Sequence, residues 1–204
     1  SFEKVEKQKI DYNFEYICLL NHFKKIELRD TEVFLKLMAD ICLSNNLLSR
    51  NINLRPYDHS GIFRNPKTFQ YLKRLFFYNS DKNLAITSKS SRPILHIMSH
   101  NIFQISEPLF RTFKNNLTLL VIVRHPVYMV NHWVSYIDNV GKMKKELTFC
   151  TGKNGTIPWF ANEIKNYDDL NNYEKTIYSI SVLTKMQNSI LKTHNEREKN
   201  RYLI

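Results

Sequence analysis

Arg124 stands where a chain can grip an anion. In the stretch Leu119 to Tyr136, LLVIVRHPVYMVNHWVSY, a hydrophobic run leads into Arg124 and a helix is expected to open at Pro126. The first backbone N–H groups of a helix have no internal acceptor and carry partial positive charge, so they draw anions. A guanidinium beside them can fork two hydrogen bonds to one phosphate. Pro126 brings no N–H and fixes φ for the first turn. The competing role for Arg124 is an ion pair with a nearby carboxylate, and the local pattern does not choose between the two.

His100 is a second reactive group. It follows the short apolar run Ile94-Leu95-His96-Ile97-Met98, which comes after Pro93 and reads as a strand, with Ser99 between. An imidazole titrates near neutral pH and can take a proton from a hydroxyl within hydrogen-bond reach. The plainer role is capping the helix that follows. His96 and His100 stand four apart, which suits ligands on a helix face, but they lie in a strand and its exit without a Cys or carboxylate cluster. No metal is expected there. Asp58-His59-Ser60 is a contiguous tripeptide in a polar loop and reads as a turn, since catalytic triads are assembled across a fold.

The elements that must position these groups follow from periodicity. Tyr16, Leu19, Leu20, Phe23 and Ile26 predict a first helix. Asp30 is the expected N-cap of a second, with Val33, Phe34, Leu37, Met38 and Ile41 inward. Asn65 caps a third with Pro66 at its first position, and Phe69, Leu72, Leu75 and Phe76 face the core. A helical piece runs from about Glu107 to Lys114. Leu117 to Val123 is rich in Val, Ile and Leu, as in a strand covered on both faces. Val127, Val130, Val134 and Ile137 form the buried side of the helix after Pro126. Asn171 and Glu174 make a capping pair for a last helix to about Asn195. Arg201 to Ile204 looks like the start of another strand. Strands alternating with helices indicate an α/β domain.

Composition sets bounds. The chain has 204 residues and a formal net charge of +11, with basic residues scattered along it. That permits a phosphorylated small molecule, a polyanion or an anionic surface, and lowers the case for a nucleic-acid arm. Hydrophobic residues make up 43%, enough for a core, and no apolar run approaches the roughly 18 residues of a membrane span. Cys18, Cys42 and Cys150 are odd in number and far apart, which suits inert thiols in a reducing compartment. A cytoplasmic location is the expectation. FRNPKTFQYLKRLFFY mixes aromatic and basic residues, and their helical spacing predicts a core helix with a basic outer face.

Two of these segments resemble the PAPS-dependent sulfotransferases, PAPS being 3′-phosphoadenylyl sulfate. In that family a hydrophobic strand gives way to Arg, a polar residue and often Pro, then a helix carrying a Ser. The Arg and the Ser hold the donor's 3′-phosphate. Arg124-His125-Pro126 is similar to the first part, and the Ser position, 124 + 8 = 132, holds His132, which can still donate to a phosphate. Many members also have a strand ending in Lys-Thr/Ser-His, whose His deprotonates the acceptor hydroxyl. Met98-Ser99-His100 resembles it, with Met in place of Lys. Arg201-Tyr202-Leu203-Ile204 is similar to a later strand of the family.

The resemblance implies a P-loop-type parallel sheet with flanking helices, incomplete and with a helical N-terminal third, as a single partial domain over 1–204. It implies transfer of a sulfuryl group from PAPS to an acceptor hydroxyl such as that of a carbohydrate, with His100 as base and Arg124 and His132 on the donor. No metal, nucleic acid or membrane span in this chain belongs to that picture. The family's Gly/Ser/Thr-rich phosphosulfate loop has no counterpart near the N-terminus. Gly152-Lys153-Asn154-Gly155-Thr156 has suitable residues but reads as a surface loop. The expectation is therefore a fragment short of that loop and of the C-terminal end, whose transfer activity is not assured. The alternative is a non-catalytic basic α/β module that binds a nucleotide or polyanion through Arg124 and its helix.

Overall fold

The computed structural model describes residues 4–7, 9–58, 61–77, 92–122, 124–140, 147–152 and 155–197, with side chains as far as Thr193. The chain forms two compact units: Ser1–His100 with Arg111–Phe113, and Asn101–Phe110 with Lys114–Ile204.

In the first unit, β1 (Lys9–Ile10) and β2 (Ile97–Met98) pair in parallel, Lys9 opposite Ile97 and Ile10 opposite Met98. A bridge from Val5 to Ile94 extends the pairing backwards. β2 and this bridge fall within the apolar run Ile94–Met98, where a strand is expected. Its partner was not foreseen, because VEKQKI does not read as a core strand. Glu6 is nevertheless buried, since Arg74 and Tyr71 satisfy its carboxylate.

Three helices complete this unit: α1 (Asn13–His22), α2 (Leu28–Leu47) and α3 (Thr68–Phe77). All three were predicted, with Leu19 of α1 buried as expected, but the faces and starts of α2 and α3 differ from expectation. α1 buries Phe14, Glu15, Cys18 and Leu19. α2 begins before Asp30, with Glu27 at the N-cap, and buries Thr31, Leu35, Cys42 and Leu47. Of its expected core stripe, Val33, Phe34, Leu37 and Ile41 are exposed and Met38 is half-buried. Asn65 and Pro66 precede α3 in a turn, where Asn65 Oδ1 accepts from Lys67 N at 2.9 Å. α3 is rotated relative to expectation: Tyr71 and Arg74 are buried and Leu72 and Leu75 half-buried, while Phe69 and Phe76 are exposed.

The second unit is mainly helical: the residues of α4 (Glu107–Phe113) up to Phe110, α5 (Pro126–Asn139) and α6 (Asn172–Arg197). α5 and α6 pack on each other. Ile137, Ile180 and Leu183 are buried, whereas Val127 and Ile177, both expected inside, are exposed. The Asn171–Glu174 capping pair is formed: Glu174 N donates to Asn171 Oδ1 and Asn171 N to Glu174 Oε2, both at 3.0 Å. β3 (Cys150–Thr151) and β4 (Ile157–Pro158) form an antiparallel hairpin. Gly152, at φ +80°, and Gly155, at φ +63°, lie between the two strands.

Mixed helix and strand is therefore correct. The strand expected over Leu117 to Val123 is not formed among its described residues, 117–122. That run joins neither two-stranded sheet, and Leu120 and Ile122 are 84% and 90% exposed. A strand needs a partner's N–H and C=O groups as well as β propensity, and the described residues supply none here. The final strand expected at Arg201–Ile204 lies outside the described residues, as do His59 and Ser60.

Candidate functional site

In the first unit His100 sits just past the carboxyl end of β2, where parallel strands present ligand-binding residues. The parallel register brings both strands out at one edge, because Asp11 N donates to Met98 O at 3.3 Å. β1 then leads through Asp11 and Tyr12 into α1, and β2 leads through Ser99 to His100.

Tyr12 Oη lies 3.4 Å from His100 Nδ1, and the two rings meet edge to face at 5.2 Å. Tyr12 also stacks on Tyr16. Ser99 donates to Glu15 Oε2 at 2.5 Å, and Glu15 is buried. His100 itself is exposed. When its proton sits on Nδ1, Tyr12 Oη accepts it and Nε2 turns a lone pair to solvent. That tautomer is the one a general base requires.

Beside this edge Asp11 anchors a second group. Its Oδ1 accepts from Asn13 N at 3.1 Å and Asn13 Nδ2 at 2.9 Å, tying down the start of α1. Its Oδ2 lies 2.9 Å from Lys9 Nζ and accepts from the Cys42 thiol at 3.4 Å. Burial pushes the Asp11 carboxyl up, but hydrogen bonds from Lys9 and Asn13 and the charge of Lys9 outweigh it and leave it lowered. Burial likewise pulls Lys9 down, and Asp11 more than restores it.

In the second unit Arg124 is exposed and forms no ion pair among the described residues. The carboxylate partner that competed with the anion role is therefore not found there. Two residues on, Pro126 opens α5 as predicted. His125 is the N-cap, and its Nδ1 accepts from Val127 N at 3.4 Å. That occupies one of the first-turn amides an anion would use, while the imidazole edge stays beside the same helix end. His132 lies on the exposed face of α5, about 9 Å along the axis from Pro126 at 1.5 Å per residue.

Behind these residues α5 is fixed by aromatic packing. Trp133 lies 5.9 Å from Phe160, and buried Trp159 sits against Phe160. Asn172 Nδ2, at the start of α6, donates to Asp138 Oδ1 near the end of α5 at 3.0 Å.

His100 thus belongs to the first unit, and Arg124 and His132 to the second. Sequence reasoning missed Tyr12, Glu15 and the Lys9–Asp11–Cys42 group. One signal was present for Asp11: an Asp can accept from the backbone N–H two residues on in a turn, as it does from Asn13 N. No group of three or more His, Cys, Asp or Glu side chains that could hold a metal occurs among the described residues, and none of their helices is long and apolar enough to cross a membrane. Comparison with protein-family models, curated proteins and solved structures gives no match.

Proposed function

We propose that this chain handles the nucleotide donor of sulfuryl transfer, with Arg124 on the donor's 3′-phosphate and His100 as base for an acceptor hydroxyl. The observation that carries this reading is the state of Arg124. It is an exposed guanidinium with no carboxylate partner among the described residues, two residues ahead of a 14-residue helix. An unpaired guanidinium next to a helix start favours a doubly charged phosphate over a neutral ligand. His125 and His132 add imidazole donors on the same helix.

In the transfer the acceptor oxygen attacks sulfur as the bond from sulfur to the bridging phosphate oxygen breaks. The hydroxyl proton passes to His100 Nε2, and adenosine 3′,5′-bisphosphate leaves with the electron pair. Tyr12 positions the ring by accepting from Nδ1, and stabilises the imidazolium in the same way. PAPS is the donor, and a sugar or other simple hydroxyl is the acceptor class.

A non-catalytic module that binds a nucleotide or polyanion through Arg124 is favoured by a different observation. Leu117–Ile122 pairs with no strand among the described residues, so the strand exit that accompanies Arg124 in the sulfotransferases is not reproduced. The anion claim then rests on the guanidinium and the helix alone.

Incubation with sulfur-labelled PAPS and a panel of sugars, tyrosine peptides and alcohols separates the two. Transfer that falls roughly 100-fold in His100→Gln supports catalysis. Nucleotide binding without transfer to any acceptor selects the module.

A further inference from the structure

We propose that α3 and the short turn before it form a docking face for anionic lipid headgroups, a role independent of the nucleotide reading. The face exists because α3 turns Tyr71 and Arg74 inward, with Leu72 and Leu75 half-buried beside them, and leaves its phenyl rings outside. Arg74 and Tyr71 turn inward to the Glu6 carboxylate, with Arg74 Nη1 at 2.9 Å and Tyr71 Oη at 2.7 Å from Oε2. That inward anchoring commits the phenyl side to water. Phe69, Phe76 and Phe77 are 84%, 68% and 72% exposed. At 100° per residue they lie on one arc of the helix together with Lys73. Phe63, half exposed, lies in the turn of Ile62–Arg64, which is tied to the start of α3 by Thr68 Oγ1 donating to Ile62 O at 2.6 Å.

This aromatic surface amounts to several hundred Å² on the usual area of a phenylalanine, the size of the largest apolar patch on a typical monomer, which is often a functional one. Charge selects the partner. From Gly61 to Phe77 the sequence holds no acidic residue, and of its four basic residues Arg64 and Lys73 are exposed, Lys67 is half-buried with Nζ donating to Val5 O at 2.8 Å, and Arg74 is buried. Glu6, the carboxylate facing α3, is buried and consumed by Arg74. Lys73 is exposed in the middle of the phenyl arc. Protein–protein interface cores are depleted of lysine. At a bilayer surface, by contrast, phenyl rings enter the acyl boundary and a lysine stem snorkels to the phosphates. The arrangement fits a bilayer carrying negative lipid, with the helix lying in the plane of the interface.

The test is co-sedimentation of the full chain with vesicles of phosphatidylcholine alone and with about one-third phosphatidylglycerol added. The expected result is pelleting with the anionic vesicles and little with the neutral ones. The combined F69S, F76S and F77S variant should bind at least roughly tenfold more weakly, and K73E should weaken binding by a similar factor. All four positions are exposed, and an unchanged circular dichroism spectrum verifies that the variants fold. Wild type remaining in the supernatant, equal binding to both vesicle types, or undiminished binding by the triple variant would each overturn the proposal. Self-association of the free chain that the triple variant abolishes, without vesicle binding, would assign the face to a second copy instead.

Discussion

Arg74 and Glu6 form a buried two-pronged ion pair: Nη1 lies 2.9 Å from Oε2 and Nη2 3.2 Å from Oε1, with both side chains about 5% exposed or less. They are 68 residues apart in sequence, so the pair clamps α3 to the segment that leads into β1. Tyr71 completes the carboxylate's shell and accepts from Lys7 N. Removing one partner strands the other charge away from water. Arg74→Ala should therefore lower unfolding free energy by roughly 3–5 kcal/mol, and Tyr71→Phe by about 1 kcal/mol. Urea denaturation of both variants checks this, and an Arg74→Ala cost below that of Tyr71→Phe would contradict it.

The Asp11 group predicts an acid response. The Asp11 carboxyl is held below its ordinary range in the folded chain. It therefore contributes stability that is fully present above the unfolded value near pH 4 and is lost as pH falls through the lower folded value. Lys9 is raised, so its contribution is present below its unfolded value and disappears in strong alkali. Asp11→Asn should be less stable than wild type at pH 7 and lose less stability on acidification below about pH 4. Parallel slopes of stability against pH for the two proteins in that range would argue against this role.

The three thiols should differ in reactivity. Burial, with the nearby Glu15 charge second, pushes Cys18 up to about 12, and Cys18 is wholly inaccessible. Burial also raises Cys42 and Cys150, but Cys150 is only half-buried. A thiolate-selective reagent at about pH 8 should modify Cys150 first and Cys18 only after denaturation. Mass mapping of the labelled peptides reads the order, and early labelling of Cys18 would contradict the packing of α1.

Two glycines offer a matched comparison. A Cβ on Gly61 would meet Arg55 O at 2.4 Å and Asp58 O at 2.8 Å, both rigid backbone atoms. A Cβ on Gly155 meets nothing within 4 Å, and only its φ of +63° opposes substitution. Gly155→Ala should cost about 1 kcal/mol. Gly61→Ala should cost about 2 kcal/mol or more, because the loop must move. Thermal denaturation of the two variants gives the ranking, and a reversal would refute the geometry of the loop before α3.

Sequence legibility followed the range of the forces involved. Pro126 at the start of α5 and the Asn171–Glu174 capping pair depend on neighbours a few residues away, and both are where local chemistry puts them, while β2 falls within its apolar run although its partner β1 is distant in sequence. Helix faces were misjudged where a distant residue decided them. α2 has apolar side chains on two arcs, and the arc with Thr31, Leu35 and Cys42 is the covered one. α3 turns on Glu6, a carboxylate that hydropathy assigns to the surface. Leu117–Ile122 has strand composition, yet pairing depends on a partner that composition cannot supply. Arg124 and His100 stood out in the sequence by residue type and local pattern. Tyr12 and Glu15 did not, because only the parallel register of β1 and β2 brings them to His100 and Ser99.

The most direct test of the Arg124 assignment is calorimetric titration with adenosine 3′,5′-bisphosphate on wild type, Arg124→Ala and Arg124→Lys. Saturable binding by wild type, weakened at least roughly tenfold in Arg124→Ala and only partly restored by lysine, is the predicted result. Equal affinity in wild type and Arg124→Ala, or no binding by wild type, would contradict it.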